Sequence, residues 1–258
     1  MANASAAGHG LDVLTLLARR GEPLPAATIA RELDLPRSSL YHLLTVLSSR
    51  GFVRHLPEER RYGLGVAAYE LGSAYQRQAP LQRVARRAID QLVDTTGHNA
   101  HLAILHGRDV LYVIEQRAPG APHLVSDVGV RLPASLTATG LAMLAELPAA
   151  QVRALYPGPD AYVQRSGRGP TSLVTLRREL RAARSRGYAV ENGLVTPGLS
   201  SVAVAVLDHN DYPAAAVAVT YPEGSREQAA VVGAVQVTAG DVSRRIGGRG
   251  AAERDSAD

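Results

Sequence analysis

The chain has 258 residues, with 28 basic and 24 acidic side chains, a net charge of +4, and neither Cys nor Trp. Every basic residue is Arg. The lack of Cys excludes disulfides, thiolate metal sites and a Cys nucleophile, and no apolar stretch approaches the ~18 residues of a membrane span. A hydrophobic content of 46% is ample for a packed core. We therefore expect a cytoplasmic, globular protein of one large or two modest domains, without a membrane partner.

The excess positive charge lies entirely in the first third of the chain. Residues 1–90 contain twelve Arg against eight acidic residues, whereas residues 91–258 contain sixteen of each. Such an asymmetry is expected when one part of a chain meets a polyanion and the rest does not. A patch of this size is also common on surfaces that bind nothing. The charge therefore favours nucleic-acid binding without establishing it.

Three short helices and a hairpin are predicted at the start of the chain. Apolar residues at helical spacing predict helices over residues 11–20, 25–33 and 36–50. Two short strand-like runs follow, at 52–56 and 61–64, on either side of a polar turn. Three helices followed by a hairpin is the order of a winged helix-turn-helix.

The third predicted helix has two different faces. Its Leu residues repeat at positions 40, 43, 44 and 47, which is a core-facing stripe. The other face bears hydroxyl, imidazole and phenol groups, and neither acids nor Arg occur from 38 to 49. Such a face suits the major groove of DNA, although a helix with an ordinary solvated side remains an alternative. The predicted DNA contacts of this helix are Arg37, Ser38, Ser39, Tyr41, His42 and Thr45.

The hairpin supplies the remaining predicted DNA contacts. Arg54, Arg60 and Arg61 could lie along phosphates, where each neutralised phosphate steepens the salt dependence of binding. Glu58 and Glu59 at the tip of the hairpin argue against deep insertion into a groove. We therefore assign these three Arg to the DNA backbone.

The rest of the chain is predicted to mix helices and strands. Helices are expected over residues 65–79, 81–96, 135–147, 173–187 and 227–246. Strands are expected over residues 100–106, 110–115, 122–128, 200–207 and 214–221. The chain after Gly97 thus has an α+β pattern, and its end, from Gly247, is expected to be disordered.

Motifs for catalysis or cofactor binding are missing. The sequence has no Walker or dinucleotide-binding glycine pattern and no nucleophile elbow. His98, His101 and Asp94 form only a weak metal candidate, because their spacing spans a predicted helix end and strand start. Ser201 has no His and acid partner fixed by sequence. We therefore predict no catalytic residue, no metal and no cofactor.

Five motifs, taken in order, carry a family resemblance: the segment from Leu24-Pro25 through LPRSSLYHLL at Leu35, RYGLG from Arg61, VGVRLPASLTATGLA from Val128, GYAVE from Gly187 and PGL from Pro197. Together they resemble the IclR family of bacterial transcriptional regulators, over residues 10–248. The resemblance implies an α+β chain with a winged helix-turn-helix, a linker helix and a GAF-like effector domain with a curved antiparallel sheet. The implied boundaries are 8–65 for the DNA-binding domain, 66–79 for the linker helix, 80–248 for the effector domain and 249–258 for a disordered tail.

The resemblance also implies partners and a pocket. Members of the family are usually dimers or tetramers that bind palindromic double-stranded DNA operators and respond to small metabolites. The pocket lining implied for this chain is Ala138, Thr139, Gly140, Glu191, Ser201, Ala218 and Thr220.

Two pocket positions depart from the family pattern. Relatives commonly carry Cys where this chain has Ser201, and some carry a pair of hydroxyls where it has Ala218 and Thr220. Losing a hydroxyl removes a donor for a ligand carboxylate, and burying an unpaired anion is costly. We therefore expect an effector with more apolar or aromatic surface than glyoxylate or pyruvate.

Two other functions stay open at this point. A winged helix can mediate protein contacts without binding DNA, and a GAF-like domain can belong to an enzyme. The effector, the operator, the sign of regulation and the choice between dimer and tetramer are left open by the sequence.

Overall fold

The chain divides into two compact units, residues 1–79 and 80–258, in a computed structural model that describes residues 6–78, 80–122, 124–165, 167–225 and 228–248. The tail expected to be disordered, 249–258, lies outside the described residues. Across the described part of the chain, no helix is long and apolar enough to cross a membrane.

The first unit is a winged helix-turn-helix. Its helices are α1 (Ala6–Arg20), α2 (Ala26–Glu32), α3 (Arg37–Ser49) and α4 (Val66–Gln78). Its strands are β1 (Leu24–Pro25), β2 (Val53–Leu56) and β3 (Arg61–Leu64), in the antiparallel order β1-β3-β2. The helices and the hairpin therefore occur where the apolar spacing predicts them. The two-residue strand β1 is not predicted, because two residues are too few to show a period.

The core of the first unit is aliphatic. Val13 and Leu16 of α1, Ile29 of α2, and Leu40 and Leu44 of α3 are all buried. The spacing of these residues on each helix places one apolar stripe toward the core, so α3 has to present its opposite side to solvent.

The second unit is a six-stranded antiparallel sheet with helices on both faces. Its strands are β4 (Asn99–His106), β5 (Asp109–Gln116), β6 (Arg131–Pro133), β7 (Ala189–Asn192), β8 (Leu199–Leu207) and β9 (Pro213–Pro222), in the order β6-β5-β4-β9-β8-β7. Its helices are α5 (Pro80–Thr96), α6 (Ala138–Glu146), α7 (Ala149–Leu155), α8 (Leu173–Arg186) and α9 (Gln228–Arg245). Together the two units confirm the predicted α+β fold, with a curved antiparallel sheet in the second.

The alternation of Val and Ala along β8 and β9 sets the two faces of the sheet. Val204 and Val217 belong to the core shared with α5 and α9, whereas Ala203, Ala216 and Ala218 belong to the core shared with α6 and α8. Successive strand residues point to opposite faces, and the small Ala side chains leave room for α6 to pack close to the sheet. The face with the small residues is the one on which a cavity forms.

The prediction of the third strand is wrong. It places the strand at residues 122–128, but the strand that pairs with β5 is β6, Arg131–Pro133. Within the described residues of the predicted segment, Asp127 Oδ1 accepts a hydrogen bond from the Val128 amide at 2.7 Å, and Gly129 has φ of +86°. The preference of Asp and Gly for turns thus outweighs the preference of the apolar residues in this segment for a strand.

Two helices differ from prediction on either side of Pro148. The helix expected over 135–147 begins at Ala138, because Thr137 is in extended conformation and accepts a hydrogen bond from the Gly140 amide at 3.0 Å, as an N-cap. The seven-residue α7 is not predicted. Val152 is its one fully buried residue, so it carries no apolar period.

Candidate functional site

The polar face of α3 is fully open to solvent. Tyr41 is 52% exposed, while Leu40, Leu43 and Leu44 on the opposite side are buried. The predicted contact residues of this helix are all exposed: Arg37, Ser38, Ser39, Tyr41, His42 and Thr45. The structure therefore brings these six side chains to one accessible helix, as the sequence pattern predicts.

Two hydroxyls of α3 are oriented by the helix itself. Thr45 Oγ1 donates to the Tyr41 carbonyl and Ser49 Oγ donates to the Val46 carbonyl, each at 2.8 Å. A hydroxyl that donates to its own helix keeps its lone pairs free, so each remains an acceptor for a base-edge amino group.

The three hairpin arginines do not have the same environment. Arg54 and Arg60 are exposed, and no described carboxylate lies within ion-pair distance of either, nor of Arg37. Arg61 is half-buried, and its guanidinium donates to the Pro23 carbonyl at 3.1 Å. Arg61 therefore helps to join β3 to the segment before β1, whereas Arg54 and Arg60 are available for a ligand.

A narrow cavity lies in the second unit, between the Ala-rich face of the sheet, the start of α6 and the loop from β7 to β8. Six of the seven predicted pocket residues line it: Ala138, Thr139, Glu191, Ser201, Ala218 and Thr220. The seventh, Gly140, is not part of the lining. A Cβ on Gly140 would lie 2.1 Å from the Ala134 carbonyl oxygen, so this glycine allows α6 to approach the preceding turn.

Strand register assembles the polar wall of the cavity. Glu191 of β7 lies opposite Ser201 of β8, which lies opposite Thr220 of β9. Ser201 Oγ donates to Glu191 Oε1 at 2.8 Å and lies 3.0 Å from Thr220 Oγ1. Thr220 Oγ1 in turn lies 3.4 Å from His101 Nε2 on β4. Four strands thus supply one hydrogen-bonded chain of side chains.

More than half of the residues that line the cavity are not predicted from the sequence. The additional residues are His101, Tyr112, Leu124, Ser126, Thr137, Val195, Thr196 and Leu199. The sequence indicates His101 only as a weak metal candidate, although it lies opposite Ala218 in the sheet register. Strand alternation from Ala103 would place His101 on the cavity face, but the pairing of β4 with β9 is not readable from sequence.

Burial keeps the aromatic groups of the cavity neutral. It lowers the pKa of His101 to about 4, with a smaller contribution from Arg117, and raises the pKa of Tyr112 to about 12. Burial also raises the pKa of Glu191, against the hydrogen bonds that it accepts from Ser201 and two backbone amides. Among the described residues that line the cavity, Glu191 is the one carboxylate and no Arg is present.

Two buried atoms in the wall, His101 Nδ1 and Thr139 Oγ1, have no hydrogen-bond partner in the described part of the chain. The His101 side chain belongs to a residue that is only 1% exposed. Buried polar atoms in folded proteins are nearly always paired. His101 Nδ1 and Thr139 Oγ1 are therefore the two atoms of the wall that a polar group of a bound molecule could pair with.

The loop from residue 193 to residue 198 closes the cavity. The centres of water-sized molecules can occupy only about 20 Å³ of it, which is room for about one water. Glu191 Oε2 accepts hydrogen bonds from the Leu194 and Val195 amides at 2.9 and 3.4 Å, and Arg168 donates to the Asn192 carbonyl at 2.8 Å. A ligand larger than a water therefore needs a wider cavity than this lining leaves.

Comparisons with known proteins agree with the two-unit architecture. The description "IclR helix-turn-helix domain" matches residues 6–57, and "Bacterial transcriptional regulator IclR C-terminal" matches residues 73–244. The chain is 29% identical to the HTH-type transcriptional regulator XynR of Escherichia coli K12, over 82% of this chain and 84% of that protein. It is 30% identical to the glycerol operon regulatory protein of Streptomyces coelicolor, over 81% of each chain.

A solved structure has the same fold. It is an IclR homologue from Microbacterium hydrocarbonoxydans in complex with 4-hydroxybenzoate, with a TM-score of 0.82 and 21% identity, covering 94% of this chain and 99% of the other. At this identity the likeness shows the fold alone.

Proposed function

Because the chain belongs to the IclR family of bacterial transcriptional regulators, we propose that its first unit binds operator DNA through α3 and the β2–β3 hairpin, hereafter the wing. The observation that carries this proposal is the exposed polar face of α3, which bears hydroxyl, phenol and imidazole groups and no carboxylate. An acid on that face would be repelled by phosphates, and none is present.

Two groups of residues have different roles in the proposed binding of DNA. Ser38, Ser39, Tyr41, His42 and Thr45 meet base edges in the major groove, where hydroxyl and imidazole groups can discriminate between base pairs. The arginines hold phosphates, which fix the register of the protein without reading sequence. These are Arg37, Arg54 and Arg60, whereas the Arg61 guanidinium bonds to the Pro23 carbonyl.

A gel-shift or anisotropy titration tests this assignment with DNA from upstream of the protein's own gene. We expect Arg54→Ala with Arg60→Ala to weaken binding to all sequences evenly and to reduce the slope of log affinity against log salt by about two. Arg178→Ala in the second unit removes an exposed charge far along the chain and is expected to change nothing. If the unaltered chain binds no DNA with sequence preference, the winged helix serves protein contacts instead.

The cavity of the second unit is the proposed effector site. Its wall combines apolar side chains, the phenol of Tyr112 and the chain of polar groups from Glu191 to His101. Among the described residues of this wall a carboxylate ligand finds no Arg, so small acids rich in oxygen are poorly matched. An organic or aromatic acid, or a related catabolic compound, with an apolar body and a hydroxyl that reaches His101 Nδ1 fits this wall better.

Isothermal titration calorimetry can distinguish these ligands. We expect 4-hydroxybenzoate or a related hydroxyaromatic compound to bind more tightly than pyruvate or glyoxylate. Tight binding of pyruvate with no binding of benzoate-like compounds would exclude this effector class while leaving DNA binding intact.

We also propose that the protein acts as a homodimer or homotetramer in the cytoplasm. The linker helix α4 exposes Val66, Tyr69 and Leu71 by 67%, 77% and 64%, which is apolar surface that a second copy would cover. The first units of two copies would then contact two half-sites of the operator. An effector would regulate DNA binding by favouring one distance between these two units. Sedimentation equilibrium of Tyr69→Glu should show a shift toward monomer.

We propose no enzymatic activity for this chain. Relatives of the chain are transcriptional regulators, and we assign the Ser201 hydroxyl to ligand binding, with no catalytic role, no metal and no cofactor. The Ser201 hydroxyl donates to the Glu191 carboxylate and lies 3.0 Å from Thr220 Oγ1, which supports a role in the polar wall of the effector site.

A further inference from the structure

The neutral total charge of residues 91–258 conceals a strongly basic segment. Residues 149–187 contain eight Arg and only two acidic residues. Five of these Arg lie on α8, where Glu179 is the sole acidic side chain. The positive charge is therefore concentrated around one helix of the second unit.

Part of this charge surrounds an apolar cleft between α7 and α8, which we call the α7–α8 cleft. Its apolar lining consists of Leu144, Leu147, Ala149, Val152 and Leu180, and its charged lining of Arg177, Arg181 and Arg184. The centres of water-sized molecules can occupy about 150 Å³ of the cleft, against about 20 Å³ of the effector cavity. Aliphatic cavities of about 150 Å³ accept a benzene-sized molecule.

The three arginines of the cleft occur at helical spacing, so they lie along one side of α8. In the described chain, no carboxylate lies within ion-pair distance of Arg177 or Arg181, and Arg184 donates to the Ala145 carbonyl. Like charges at this spacing destabilise a helix. A bound anion would relieve that repulsion.

We propose that the α7–α8 cleft binds a small amphipathic organic anion, with its apolar part against Leu180 and Val152 and its acid group against Arg177 and Arg181. The cleft is separate from the effector cavity, because Ala138 and Thr139 at the start of α6 line the cavity whereas Leu144 near its end lines the cleft. The charge of the rim selects an anion, and the aliphatic floor selects against inorganic ions.

The fluorescent dye 8-anilinonaphthalene-1-sulfonate is a suitable probe, because it combines aromatic rings with a permanent negative charge. We expect saturable binding of one dye per chain at this cleft. Arg177→Gln with Arg181→Gln should weaken that binding at least tenfold, whereas Arg153→Gln with Arg178→Gln removes the same charge from α7 and α8 outside the lining of the cleft and should leave binding unchanged.

A second pair of variants tests the apolar part without altering charge. Ala149→Trp places a large side chain in the mouth of the cleft and should abolish dye binding, whereas Ala150→Trp, at the next exposed position, should not. Thermal unfolding of each variant shows whether it remains folded.

Three results would overturn the proposal. The first is equal dye affinity in the two double-Gln variants, and the second is equal affinity in the two Trp variants. The third is unchanged dye binding together with altered sedimentation of the Arg177/Arg181 variant, which would assign the cleft to another copy of the chain.

Discussion

The two candidate sites of this protein are built in opposite ways. The first unit presents a site from consecutive turns of a single helix, so that all six predicted α3 contacts fall within residues 37–45 and all are exposed. The second unit builds its cavity from side chains that are more than a hundred residues apart, such as His101 and Thr220. A site on one helix depends on the helix period alone, whereas a site on a sheet depends on how the strands pair.

This difference predicts how each site responds to change. Substitutions on α3 should alter binding without altering stability, because the polar side chains there touch little else. Substitutions around the cavity should often alter stability, because the same residues hold α6 and four strands together. Variants in both units can therefore test this contrast.

Gly140→Ala should cause the greatest loss of stability. The added Cβ would lie 2.1 Å from the Ala134 carbonyl oxygen, a backbone atom that cannot rotate away. We expect the free energy of unfolding of the second unit to fall by about 3 kcal/mol, measured by denaturant unfolding. Gly233→Ala in α9 is the matched control, since its Cβ meets nothing within 4 Å, and it should stabilise by about 0.5–1 kcal/mol. Equal stability of the two variants would contradict the role given to Gly140.

Changes on α3 should alter specificity and leave stability unchanged. We expect Tyr41→Ala with His42→Ala to weaken binding to the operator by about 1–3 kcal/mol for each base that is no longer recognised, and to leave nonspecific DNA binding nearly intact. Competition titrations with operator and random DNA measure the ratio. An equal reduction of affinity for both DNAs would instead assign these side chains to phosphates, together with Arg54 and Arg60.

The charge of Glu191 should make effector binding depend on pH. Its pKa is raised above 4.5 by burial, and a bound carboxylate would raise it further, so an acidic effector binds with uptake of a proton. Affinity for such a ligand should therefore fall as pH rises through the pKa of Glu191, by up to about tenfold per pH unit. Glu191→Gln should flatten the profile. A neutral ligand such as phenol is the control and should show no such slope.

The contrast between a site on one helix and a site on a sheet also explains how much of each site can be predicted from the sequence. The apolar stripe of α3 determines its exposed face, so helical spacing is enough to select Ser38, Tyr41 and Thr45 as exposed candidates for DNA contact. The predicted pocket residues depend instead on the resemblance to a family, and they omit His101 and Tyr112, which enter the cavity only through the pairing of β4 with β9 and β5. Arg61 cannot be separated from Arg60 by sequence, because its hydrogen bond to Pro23 depends on the strand β1 that the sequence does not reveal.

Ser201→Ala should have the mildest effect, and a double variant shows why. Ser201 donates to Glu191 and contacts Thr220, so its removal should reduce the free energy of unfolding by about 1 kcal/mol. Ser201→Ala combined with Glu191→Gln should cost less than the sum of the two single variants, because Ser201→Ala removes the hydrogen bond that Glu191→Gln weakens by replacing a charged acceptor with a neutral one. Ser200→Ala is the control, since Ser200 bonds to Asn192 instead, and its effect should add to that of Glu191→Gln. Strict additivity for Ser201 would show that the chain of groups from Glu191 to His101 is not coupled.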